Sequence, residues 1–149
     1  MEVAVLDSNK KVLNTISVKK NQCQNASNDF EIAATTTNLQ ALFGTNLDYV
    51  PNVQPSICKN NPDIGDTWYP AHKIFVEDKA NIGGHDSWQI DTSTGNWKAP
   101  ENYDEEKSVG YQKFTWKEDI TKWQAQKDGE TETSNWYQWN NSTKTWDAV

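Results

Sequence analysis

Between Trp88 and Ala148 the large apolar residues follow one pattern three times: aromatic, any residue, large apolar, six polar-rich residues, Trp, any residue, Ala. The first copy carries Trp88, Ile90, Trp97 and Ala99, the second Phe114, Trp116, Trp123 and Ala125, and the third Tyr137, Trp139, Trp146 and Ala148. Side chains two apart share one face of a strand, so each copy predicts a β-hairpin with one aromatic face. The residues between the arms, such as Asp91-Thr-Ser-Thr-Gly-Asn96, are turn chemistry. A lone hairpin is marginal in water, so three of them imply stacking, mutual pairing or a partner surface. The same spacing returns faintly at Trp68 and Phe75 and at Val5 and Val12, which suggests five hairpin-like units with the first two degenerate.

Upstream, Val3–Leu6 and Val12–Val18 flank a polar turn and read as an opening hairpin. Apolar residues from Phe30 to Phe43 predict a helix, with Asn28 or Asp29 as the cap and Gly44 as the stop. Thr35, Thr36 and Thr37 weaken it, because β-branched side chains lose rotamer freedom in a helix. Pro51, Pro55 and Pro62 keep residues 47–61 extended, with a short strand around Ser56–Cys58. Thr67–Tyr69 is answered by a returning strand over Lys73–Glu77. The expected fold is mainly β with one short helix (α+β). A hairpin and helix form an N-terminal α/β module over residues 1–78, the stretch from Asp78 to Gly84 is a loop-like boundary, and three Trp-bearing repeats occupy 87–100, 111–126 and 136–149 within 85–149. The acidic connectors Pro100–Lys107 and Gln126–Glu132 read as solubilising segments that discourage edge pairing, leaving the hairpins without a covering layer.

Composition sharpens this picture. With 149 residues the chain is one domain, or a small domain with a repeat tail. Only 35% of residues are hydrophobic, and eight Trp, five Tyr and four Phe carry much of that share, which favours small β modules over one aliphatic core. All fourteen cationic residues are lysine and the net charge is -7. Without arginine forks for phosphates and base edges, an acidic chain argues against nucleic acid as a partner. No apolar run approaches the length of a membrane span. Cys23 and Cys58 sit in no ligand spacing and read as two buried or idle thiols, with a disulfide between them as the alternative.

Catalytic chemistry is hard to place. His72 and His85 show no metal-ligand spacing, and no nucleophile elbow, phosphate loop or dinucleotide fingerprint occurs. Asp104, Glu105 and Glu106 are consecutive acids in a Pro-flanked segment, a poor way to hold two carboxyls across a sugar. The Asp91–Asn96 turn has alternating oxygen ligands but no terminal bidentate acid for calcium. The sequence therefore predicts no enzyme, cofactor or metal. The residues that stand out are Trp68, Trp88, Trp97, Trp116, Trp123, Trp136, Trp139 and Trp146, as repeat core or as partner-binding surface. Core is the preferred reading, because strands need aromatic cross-strand pairs. The alternative is a glycan-binding module in which exposed indoles stack on pyranose faces.

The opening Val3–Val18, followed by Pro62-Asp-Ile-Gly-Asp-Thr-Trp-Tyr69 and Lys73-Ile-Phe75, resembles small proteins encoded among the structural genes of tailed bacteriophages. There an N-terminal hairpin precedes an Ile-Gly-x-x-Tyr/Trp segment. Ser87-Trp-Gln-Ile-Asp91 and Trp97-Lys-Ala-Pro100 resemble repeats common in marine cyanobacterial phages. This chain departs from the pattern in the extra residue of Thr67-Trp-Tyr69 and in the last two repeats, which lack the Pro after Ala. The resemblance implies a virion structural protein, present in multiple copies in the tail, fibre, baseplate or capsid surface. It would be made in the host cytoplasm and held to other virion proteins, with a host glycan as the alternative partner.

Overall fold

The computed structural model describes residues 1–83, 85–131 and 135–149. Gly84, at the end of the expected boundary, and Glu132, at the end of the second connector, lie outside them. The fold is mainly β with one α-helix, and its contacts divide the chain into two units. One holds Met1–Gly84 and Ile90–Trp97; the other holds His85–Gln89 and Lys98–Val149. The first repeat is thus split, because its turn packs with the first half of the chain.

In the first unit, β1 (Glu2–Leu6) lies between β2 (Val12–Ser17) and β3 (Asp48–Pro51) in an antiparallel sheet. Both faces of β1 are covered, which explains its continuous Val-Ala-Val-Leu run. Val3 and Val5 pack with Cys23, Leu39 of the helix and Tyr49. Ala4 and Leu6 pack on the other side with Val12, Val50, Cys58, Trp68 and Phe75. The last two face each other across the hairpin of β4 (Thr67–Tyr69) and β5 (Ile74–Val76), with ring centroids 4.6 Å apart. Both cysteines are buried, unpaired thiols whose pKa burial pushes up.

Helix α1 covers Ile32–Phe43, two residues shorter at its start than the apolar pattern predicts. Phe30 is held instead in a bridge with Gln24, and Glu31 precedes the helix without a side-chain cap. The threonines earn their place through hydrogen bonds: Thr35 Oγ donates to Glu31 O at 2.7 Å, and Thr36 Oγ accepts from the Tyr49 amide at 3.0 Å. Gly44 ends the helix in the left-handed region, its N–H donating to Gln40 O. Residues 54–57 form a turn where a strand around Ser56–Cys58 was expected, and the strand of this stretch is β3. Pairing with β1 decided that choice.

The hairpins are β6 (Gln89–Ile90) with β7 (Trp97–Lys98), β8 (Tyr111–Lys117) with β9 (Lys122–Lys127), and β10 (Tyr137–Asn140) with β11 (Thr145–Ala148). The last two join into one antiparallel sheet in the order β11-β10-β9-β8, whereas β6 and β7 form a separate two-stranded ribbon. Trp116 lies opposite Trp123 and Trp139 opposite Trp146, with T-shaped contacts at 5.6 and 5.3 Å. These edge-to-face pairs add to the area they bury.

The segment following Pro100 supplies the covering layer that the sequence reading left out. Tyr103 stacks on Phe114 at 4.6 Å and meets Trp123 edge-on at 5.2 Å. Trp123 Nε1 donates to Glu101 O at 2.8 Å, and Trp146 Nε1 donates to the buried Ser108 hydroxyl at 3.0 Å. Glu101 also pairs with Lys122 at 2.6 Å. This connector is acidic along the chain, yet its Tyr and Ser face the indoles.

Trp139→Ala should cost about 3–5 kcal/mol in a denaturant melt, because a fully buried indole leaves a large cavity. Trp136 is half-exposed with Lys117 over its ring at 5.5 Å, and its removal should cost about 1 kcal/mol or less.

Candidate functional site

The tryptophans singled out by sequence do not form one surface. Trp68, Trp116, Trp139 and Trp146 are buried inside their units, with at most 7% of their area exposed. Trp88, Trp123 and Trp136 are half-buried. Trp88 sits edge-on to Trp116 at 6.4 Å and against His85 at 4.8 Å. Beside it, Glu118 accepts from the Trp116 indole at 2.7 Å and from the Ser87 amide and hydroxyl at 2.5 and 2.9 Å. Burial pushes the Glu118 carboxyl up, but these bonds and His85 together hold it below its ordinary range. The indole faces of the second unit are therefore committed to its own packing, which leaves little for a sugar to stack on.

Trp97 differs from Trp123 and Trp146, its counterparts in the repeat. Its Nε1 donates to Glu77 O at 2.8 Å, and Lys79 Nζ stands 5.0 Å from its ring centre. It lines a cleft of about 410 Å³ in the first unit, together with Asn60, Asp63, Asp66, Glu77, Asn81 and Asn96. That volume falls within the ~300–1,000 Å³ usual for small-molecule sites.

Local chemistry builds the cleft from three turns and the end of β5. The Asn60 side chain copies a strand partner: its amide donates to Phe75 O at 2.7 Å while its oxygen accepts from the Phe75 amide at 2.8 Å. The Asp63–Asp66 turn closes when the Asp63 amide donates to Asp66 Oδ2 at 3.0 Å, and β2 anchors it through Val12 N–H to Asp66 O at 2.8 Å. Asp78 begins the short 3-10 turn Lys79–Ile82, accepting from the Ala80 amide. That bond and Lys11 hold its carboxyl below the ordinary range. The third turn brings in Gly95 at φ +83°, so close that a Cβ there would lie 2.7 Å from Phe75 O and 2.9 Å from the Asn60 amide. Only glycine permits that approach.

Asp66 is the unusual group. It is 8% exposed, yet only Oδ2 has a hydrogen-bond partner among the described residues. Burial pushes its carboxyl pKa up, the Asp63 amide pulls it back, and the Asp63 and Glu77 charges push it up further. A carboxyl pushed up by burial in a cleft is a candidate functional position. Among the described residues no group of three or more His, Cys, Asp or Glu is placed to hold a metal ion. His72 is exposed, and Asp104 accepts from the Glu106 amide within its own turn. Asp91 Oδ1 accepts from the amide and hydroxyl of Ser93 within the Asp91–Asn96 turn.

Sequence reasoning named Trp97 and missed the polar residues around it. Asn60, Asp63, Asp66 and Asn96 lie in segments whose Asn, Asp and Gly content is ordinary turn chemistry. The one signal was the density of such residues in Asn60-Asn-Pro-Asp-Ile-Gly-Asp66. No protein-family model, curated protein or solved structure matches this chain.

Asp66→Asn keeps an acceptor for the Asp63 amide and removes the buried charge. Because the folded protein holds this proton more tightly than the unfolded chain, Asp66 reduces stability as pH rises through its raised pKa. The difference in melting temperature, variant minus parent, should therefore grow more positive between acidic and neutral pH. Gly95→Ala should lose about 1–3 kcal/mol in the same melts, from backbone strain and the Phe75 O contact.

Proposed function

We propose that this chain is a structural protein of a tailed-bacteriophage virion, held to neighbouring virion proteins by strand addition at β11. Support for the virion comes from the resemblance of its Val3–Val18, Pro62–Tyr69 and Ser87–Pro100 segments to proteins of that class. The mode of attachment rests on one observation, the open edge of the second unit's sheet. β11 is a terminal strand in regular register with β10. Val149 N–H donates inward to Trp136 O, so the alternation of an antiparallel ladder turns the amides and carbonyls of Trp146 and Ala148 outward. The opposite edge, β8, is interrupted by a register shift between Gln112 and Thr115, with Lys113 at φ 54°. A bulge of this kind blunts an edge; β11 has none.

Strand addition draws affinity from main-chain hydrogen bonds and specificity from alternate side chains. On β11 the exposed Thr145, Asp147 and Ala148 would supply the second. The occupant is an extended segment of another virion protein, and the role is attachment without catalysis. The tail or fibre region is the favoured place, with multiple copies per particle.

Ala148→Pro tests this directly. It removes an outward N–H and no ladder bond, so the isolated protein should melt within about 0.5 kcal/mol of the parent. Its copy number in purified particles, read by quantitative mass spectrometry, should fall severalfold. Parent protein found in infected-cell lysate yet missing from purified particles would overturn the virion reading, and normal incorporation of the proline variant would overturn the edge.

A further inference from the structure

Separate from the β11 edge, the polar cleft of the first unit has the composition of a ligand site. Its three carboxylates, Asp63, Asp66 and Glu77, only accept hydrogen bonds when ionised, while Asn81 and Asn96 offer both donors and acceptors. Among the described residues, the side-chain amides of Asn81 and Asn96 have no hydrogen-bond partner. Asp66, 8% exposed as a residue, accepts from the Asp63 amide through Oδ2 and keeps Oδ1 without a hydrogen-bond partner among the described residues. Trp97 lines the same cleft with its ring orientation fixed by the bond to Glu77 O. Gly95 and the Asn60–Phe75 clamp hold the turns in place before any ligand arrives, which lowers the cost of binding.

We infer that this cleft binds a neutral hexopyranose, its hydroxyls donating to Asp66, Asp63 and Glu77 and bridging to Asn81 and Asn96, with its C–H face on Trp97. The donor count decides for this chemistry. An acceptor-rich wall needs a ligand that brings many hydroxyl protons, and an indole needs an apolar face on the same molecule. A phosphate or sulfate ester would meet three carboxylates and no lysine among the lining residues, Lys79 standing over the Trp97 ring 5.0 Å from its centre; the sugar takes the opposite face of that ring. Partial desolvation of the Asp66 carboxyl costs the fold stability, and a sugar hydroxyl donating to Oδ1 would offset part of that cost.

The test is an NMR titration of the full chain with the methyl glycosides of glucose, mannose and galactose, with spermidine and calcium chloride as separate arms. One or more glycosides should shift the Trp97 indole and the Asn81 and Asn96 side-chain amides saturably, with Kd about 1 mM for a single ring. Asp66→Asn and Asn96→Ala should each weaken that binding about tenfold or more while the remaining spectrum and the melting temperature show an intact fold. Trp97→Ala should abolish it. Three results would overturn the inference: no saturable shift with any glycoside, shifts that survive both Asp66→Asn and Asn96→Ala, or the same resonances responding to spermidine or calcium and not to sugars.

Discussion

Edge-to-face contact between indoles on paired strands is what the second unit depends on. Its sheet has few aliphatic residues to bury, so its packing is built on Trp116 against Trp123 and Trp139 against Trp146, with Tyr103, Tyr111, Phe114 and Tyr137 around the second pair. Each pair sits directly across the ladder, where neighbouring Cβ atoms come closest. The arrangement creates a second demand, because an indole carries an N–H that loses its water partner on burial. Glu101 O, Ser108 Oγ and Glu118 meet that demand for Trp123, Trp146 and Trp116, whereas the buried Nε1 of Trp88 and of Trp139 has no hydrogen-bond partner among the described residues. The covering segment is thereby tied to the sheet by polar bonds as well as by Tyr103.

The first unit solves a different problem. β1 is covered on both faces, so the small sheet has two cores, one toward α1 and one toward the β4–β5 hairpin. Side chains of Asn and Asp replace missing backbone partners where the chain leaves regular structure. Asn60 completes the edge of β5, Asp66 closes a turn, and Asp78 starts another. These substitutions make a rigid polar rim from segments with little secondary structure. They also concentrate carboxylates and amides in one cleft, and most native turns gain nothing from burying a carboxylate as deeply as Asp66 is buried.

The proposed attachment role needs an exposed surface that the folded state does not consume. The aromatic faces, the first candidates on composition, are largely consumed by folding. What is left is backbone at the β11 edge and polar chemistry around Trp97. Both are inexpensive for a small protein to present, since neither exposes a large apolar patch to water.

Local chemistry along the chain determined much of this architecture. The three hairpins, the end of the helix at Gly44 and the opposition of Trp139 to Trp146 follow from two-residue periodicity and turn residues, which act over a few positions. Only tertiary structure decided that Trp97 would part from its repeat counterparts, that β3 would pair with β1 in a stretch marked by prolines, and that an acidic connector would cover an aromatic face. Those outcomes depend on which distant segments meet, and the energy of meeting is shared by many weak contacts that no local pattern records. Asp66 shows the limit most clearly. In sequence it is one more turn aspartate; its desolvation and its unpartnered oxygen come from β2, Asp63 and Glu77 closing around it, and a residue type alone carries no information about burial.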